Sequence, residues 1–154
     1  MLDVDALIAK GRAQLDTVQP VTQDVLLGDE VVGVRFWPLS GPDWRLLTAK
    51  HPARAEVTYD LRLGYDLDAV LADYPRVFLV QGDEVVNLVS VGEDGKQVSR
   101  FPDIVKVLSG PDIRNLAMAV WGLNDYDPGK RLVEAGKALK GGRRKKRSSP
   151  GSSA

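Results

Sequence analysis

Apolar residues recur along the chain at two spacings, and each change of spacing marks a new element. Over 3–16, Val4, Leu7, Ile8 and Leu15, with the small Gly11, return at helical spacing on one face and predict a first helix. Gly11 weakens that helix by about 1 kcal/mol relative to alanine. Pro20 ends the segment. Two strand-like runs follow, 22–27 and 31–37, separated by Gly28-Asp29-Glu30. The second alternates Val32, Val34 and Phe36 against Val31, Gly33 and Arg35, the period of a strand with one face in a core. Together they predict a hairpin.

Ser40-Gly41-Pro42-Asp43 then starts a helix: Ser40 can accept from an unpaired backbone N–H, and Pro42 in the first turn has no N–H to lose. Trp44 and Leu47 share its face. His51-Pro52 stops it, because the residue before proline is pushed out of the α region. A linking stretch, 53–64, leads to a helix capped by Asp66 that runs to Tyr74 and Pro75.

The runs 77–80 and 85–89 flank Gln81-Gly82-Asp83-Glu84 as a hairpin would, and 97–101 adds a short strand after the turn Glu93-Asp94-Gly95-Lys96. The segment 76–101 is the most ambiguous in the chain and reads best as a small meander. Helical spacing returns in a short segment at 104–108. It is most regular over 111–124, where Ile113, Leu116, Ala117, Val120 and Trp121 follow a cap at Ser109. Asp127-Pro128 opens a last helix carrying Leu132, Val133 and Leu139, and Gly141-Gly142 closes it. The expected fold is α+β: one small, mostly helical domain over 1–140 with one or two antiparallel hairpins or a meander, then a disordered, basic, Ser/Gly-rich tail at 141–154.

Charge sharpens that division. The chain balances 21 basic against 21 acidic residues, but Arg143, Arg144, Lys145, Lys146 and Arg147 lie in one short run. Setting those five aside leaves 16 basic residues against 21 acidic, so the body sits near −5. With no cysteine, disulfides, thiolate metal sites and cysteine nucleophiles are excluded. The acidic start, Met1-Leu2-Asp3-Val4-Asp5, lacks the signature of an export signal, and no apolar run reaches membrane-spanning length. A cytoplasmic, non-membrane protein is expected.

Candidate chemistry is sparse. His51 is the only histidine, so a two-histidine metal site is excluded and a triad would have no other base; a structural role at its helix end is expected. Asp66, Asp68 and Asp73 read as a cap and surface charge, and Asp83-Glu84 and Glu93-Asp94 as turns. No phosphate loop, dinucleotide fingerprint or nucleophile elbow occurs. No enzyme, cofactor or metal is expected. Trp44 and Trp121 lie on faces a core would use, while Trp37, at a strand end, suits an exposed contact. The basic cluster 143–147 would attract a polyanion without reading sequence, and it has no interleaved aromatic to stack on bases.

Two stretches resemble the tail assembly chaperones of long-tailed bacteriophages, especially those infecting actinobacteria. The first runs from Val34-Arg35-Phe36-Trp37-Pro38-Leu39 through Trp44-Arg45-Leu46-Leu47 to His51-Pro52-Ala53-Arg54, and the second from Leu108-Ser109-Gly110-Pro111-Asp112 to Leu123-Asn124. A polar, Ser-rich tail after the late helix also fits. The resemblance implies a non-structural protein of the host cytoplasm, absent from the mature virion, that binds the tape measure protein and helps tail tube protein assemble around it. It also implies a programmed frameshift near the 3′ end of the gene, for which Lys145-Lys146 would supply the slippery codons. Trp37, Trp44 and Arg143, Arg144, Lys145, Lys146 and Arg147 are the expected partner-contacting residues, with self-association left open. The alternatives are a nucleic-acid-associated accessory protein acting through the tail, and a structural minor tail or connector protein.

Overall fold

Two Gly-Asp pairs set the register of the main sheet. β1 (Val21–Leu27) and β2 (Glu30–Phe36) pair antiparallel from Leu27 opposite Glu30 to Val21 opposite Phe36, leaving only Gly28-Asp29 in the loop, with Gly28 at φ 63°. β3 (Val77–Gln81) and β4 (Glu84–Asn87) close in the same way around Gly82, at φ 59°. A positive φ confined to the first loop residue is the type II′ pattern, which matches the twist of the flanking strands and which glycine adopts without strain.

The computed structural model describes the backbone of residues 1–148 and the side chains of residues 1–141. The two hairpins do not remain separate units. β2 also pairs antiparallel with β3, Phe36 opposite Val77 and Val34 opposite Leu79, so four strands form one sheet in the order β1-β2-β3-β4. Directly opposed residues share a face. The inner face therefore collects Val25, Val32, Val34, Phe36 and Val77, all buried.

The 76–101 segment forms strands up to Ser99, with Phe101 opening the next helix instead of ending a strand, and it does not continue as a single meander. At Leu88 the backbone N–H still donates to Val77 O (3.1 Å), while Asn87 Oδ1 accepts from Val89 N (3.0 Å) and turns the chain out of the sheet. β5 (Val89–Val91) and β6 (Gln97–Ser99) then form a separate two-stranded ribbon.

α1 (Val4–Thr17) precedes the sheet, and α2 (Gly41–Ala49), α3 (Thr58–Leu63) and α4 (Leu67–Ala72) lie between β2 and β3. α5 (Phe101–Val105) and α6 (Gly110–Trp121) follow the ribbon. Ser40, Asp66 and Ser109 cap α2, α4 and α6, each side-chain oxygen accepting from the N–H three residues on, at 3.2, 3.2 and 3.3 Å. α3 is a correction to the linker expected over 53–64: it has no side-chain cap and ends at Gly64, φ 89°.

Phe36 meets Tyr74 edge-on at 5.3 Å and Phe101 at 5.9 Å, and α4 and α6 add Val70, Leu71, Leu116 and Val120, all fully buried. Asp127-Pro128 does not begin a separate helix, as the sequence suggested. A π-helical turn, Gly122–Tyr126, joins α6 directly to α7 (Asp127–Ser148), with Asp127 N–H donating five residues back to Gly122 O. That widened turn admits Pro128, which would break a regular α-helix in mid-course. α7 also runs through Gly141-Gly142, where closure was expected. The side chains of the cluster 143–147 and the remaining tail, 149–154, lie outside the described residues.

Candidate functional site: surfaces for a partner

Tyr74 ties the two ends of the body together. Its hydroxyl donates to Trp37 O (2.6 Å) and accepts from Asn124 Nδ2 (2.9 Å), while Asn124 Oδ1 accepts from Leu39 N–H (3.0 Å). The strand exit Trp37-Pro38-Leu39 is thereby latched to the π turn after α6. Burial pushes the Tyr74 hydroxyl up to about 12, against the opposing pull of the Asn124 hydrogen bond and of Arg76. Tyr65 adds a second tie, donating to Asp125 at 2.7 Å, and burial with that carboxylate raises its pKa further.

The charged groups with the best geometry are structural. Asp60, 1% exposed, accepts from Arg54 N (3.0 Å), Nε (2.7 Å) and Nη2 (3.1 Å), and Arg54 Nη2 also reaches Asp66 and Asp68, both at 3.3 Å. The Arg54 hydrogen bonds hold the Asp60 carboxyl below its ordinary value, and Asp60 in turn raises the guanidinium. The reading of Asp66 as a cap stands, and it also joins this cluster. His51 lies at the end of α2 with Nε2 2.9 Å from Asp73, at the end of α4. That pair fastens two helix ends, the structural role expected of the histidine. Among the described residues, no group of three or more His, Asp and Glu side chains is placed to hold a metal ion. None of the described helices is long and apolar enough to cross a membrane.

The tryptophans part ways. Trp44, 8% exposed, packs edge-on against Tyr65 at 5.6 Å, so it is a core residue with little surface left for a partner. Trp37 is half-buried, its ring 5.7 Å from the Arg76 guanidinium. Beside Arg76 lies a groove of about 370 Å³ lined by Leu39, Leu46, Lys50, Asp73 and Pro75. Trp121 is also half-buried and stacks on Tyr126 at 5.0 Å, at one end of an open groove that continues along α7 past Gly129 and Val133, rimmed by Lys130, Glu134 and Lys137.

Apolar side chains stand outside the core on three surfaces. On the outer face of the sheet, Leu26 opposes Val31 and Val80 opposes Val85, with Leu26, Val31 and Val85 more than half exposed. α1 buries none of its residues. On α7 no residue from 127 to 141 is buried, and Leu132, Val133 and Leu139 are open to solvent. The outer sheet face and Tyr126 escaped the sequence reading, although the unbroken runs Val77-Phe78-Leu79-Val80 and Val85-Val86 are the signal of strands apolar on both sides. Comparison with protein-family models finds no match, and comparisons with curated proteins and with solved structures find none either.

Proposed function

We propose that this chain is a non-catalytic tail assembly chaperone that binds the tape measure protein in the host cytoplasm, assists tail tube assembly around it, and is absent from the finished particle. The observation that carries the reading is the amount of apolar surface held on regular elements outside the core: the outer sheet face, α1, and the groove from Trp121 and Tyr126 along α7. Exposed apolar patches of this kind mark interaction sites. A groove beside a helix is a common seat for an amphipathic helical partner. An acidic body keeps such a complex dispersed by self-repulsion.

A second feature supports it. The two stretches that resemble tail assembly chaperones touch each other: Leu39, in the first, donates to Asn124, in the second. They therefore lie side by side in one structural unit.

Co-expression provides the test. The chain should co-purify with the tape measure protein and keep it soluble, and a Tyr126→Asp, Val133→Asp double variant should fold but lose that capacity. Stoichiometric amounts of the chain in purified virions would overturn the reading. A nucleic-acid role draws on Lys130, Arg131, Lys137 and Lys140, which lie on the same helix that leads into the 143–147 cluster. Salt-sensitive DNA binding that disappears when 143–147 is deleted would favour it over the chaperone.

A further inference from the structure

We infer that α1 is a self-association element: two copies of the chain pair through their first helices, antiparallel, about a twofold axis. α1 is a regular, Asp3-capped helix of 14 residues, yet none of them is buried. Val4, Leu7, Ile8 and Leu15 stand 59, 51, 49 and 51% exposed. A lone helix of this length is marginal in water, and helices in proteins draw most of their stability from packing an apolar face. The body of the same chain does not supply that packing.

The stripe is complementary to itself. Val4, Ile8, Gly11 and Leu15 follow the alternating spacing of four and three that forms a coiled-coil seam. Placed antiparallel with a second copy, Val4 faces Leu15 of the partner, and Ile8 faces Gly11 of the partner. The branched side chain thus enters the space the glycine leaves. Gly11 otherwise lacks a reason: among the described residues a Cβ built there meets nothing within 4 Å, so neither a turn nor a contact with them requires it, and it weakens the helix relative to alanine.

Charge selects the orientation. Asp5 and Arg12 occupy equivalent flanking positions beside the seam, seven residues apart. In the antiparallel arrangement each Asp5 lies beside Arg12 of the partner, and the twofold axis makes that ion pair twice. A parallel pair would set Gly11 against Gly11 and leave both ion pairs unmade. The occupant is therefore a second copy of this chain. Three turns of helix cover an area below the range of about 1,200–2,000 Å² typical of stable interfaces, so the association is weak and concentration-dependent.

Sedimentation velocity on the full chain, from about 10 to 500 µM, tests this, with the range chosen for a weak interface. The expected result is a monomer–dimer equilibrium that Ile8→Asp weakens by about tenfold or more, since it places a charge in the seam. Asp5→Arg alone should also weaken it, and Asp5→Arg combined with Arg12→Asp should restore it. Because α1 buries nothing in the body, these variants should keep the far-UV and near-UV circular dichroism of the rest of the chain. A monomer throughout the range would overturn the inference, as would a dimer indifferent to Ile8→Asp. A double variant no tighter than Asp5→Arg alone would overturn the antiparallel register. Protection of α1 only when a different protein is added would give the stripe to that partner instead. None of these outcomes depends on the chaperone role.

Discussion

The body around Phe36 and the helices at the two ends of the chain are built from similar residues and put them to opposite use. Around Phe36, Val34, Val70, Leu71, Leu116 and Val120 lose all contact with water, and among the described residues every buried side-chain nitrogen or oxygen has a hydrogen-bond partner. On α1 and α7, leucines and valines that also fall on helical faces remain open. Periodicity shows that a helix has an apolar face, but it does not show what will cover it. In the body the cover comes from the same chain, through Phe36 in contact with both Tyr74 and Phe101 and through the Tyr74 latch. At the ends the described part of the chain supplies none.

The contrast breaks most visibly if its centre is removed. Phe36→Ala should cost about 3–5 kcal/mol in urea unfolding, enough to bring a domain of ordinary stability close to unfolding. Next in size is the latch. Tyr74→Phe removes the hydroxyl that links Trp37 O to Asn124 and takes one partner from each of these half-buried groups, so a loss of about 1 kcal/mol is expected by the same measurement.

A smaller, pH-dependent effect belongs to Asp60. Its folded-state pKa lies below the ordinary value of 3.8, so its contribution is fully present above that value and fades as pH falls through the depressed one. Wild-type stability should therefore drop more steeply below about pH 4 than that of Asp60→Asn, followed by thermal unfolding across an acid series. The smallest effect is expected at the ends: Leu132→Lys on α7 should change stability by no more than about 0.5 kcal/mol. A loss of 1 kcal/mol or more there, which would be large for a surface site, would mean that α7 is packed after all and would dissolve the comparison.

The α+β fold, the caps at Ser40, Asp66 and Ser109 and the core role of Val32, Val34 and Phe36 were legible in the sequence, because each depends on a local rule. What escaped depends on distance in space. The pairing of β2 with β3 joins residues some 40 positions apart, and neither hairpin announces it. The Arg54–Asp60 pair sits in a stretch that read as a linker because α3 has no side-chain cap to mark its start. Pro128 misled through a sound rule, since proline does end a regular α-helix; only the π turn before it changes the outcome. Of the expected contact residues, Trp44 went to the core, where its face had also pointed. Trp121, expected there, came half out because the turn after it brings Tyr126 alongside.

That turn has one more consequence. Because α6 is rooted in the core and α7 continues from it without a loop, the direction in which Val133 faces is a matter of phase, counted in residues from the body. At 3.6 residues per turn, removing a single residue between 122 and 126 would swing everything downstream by about 100°. The composition of α7 would be untouched, yet its contact face would point to a different part of the surroundings. The π turn thus works as an angular setting between the body and whatever α7 meets, and a change of one codon there would reset it.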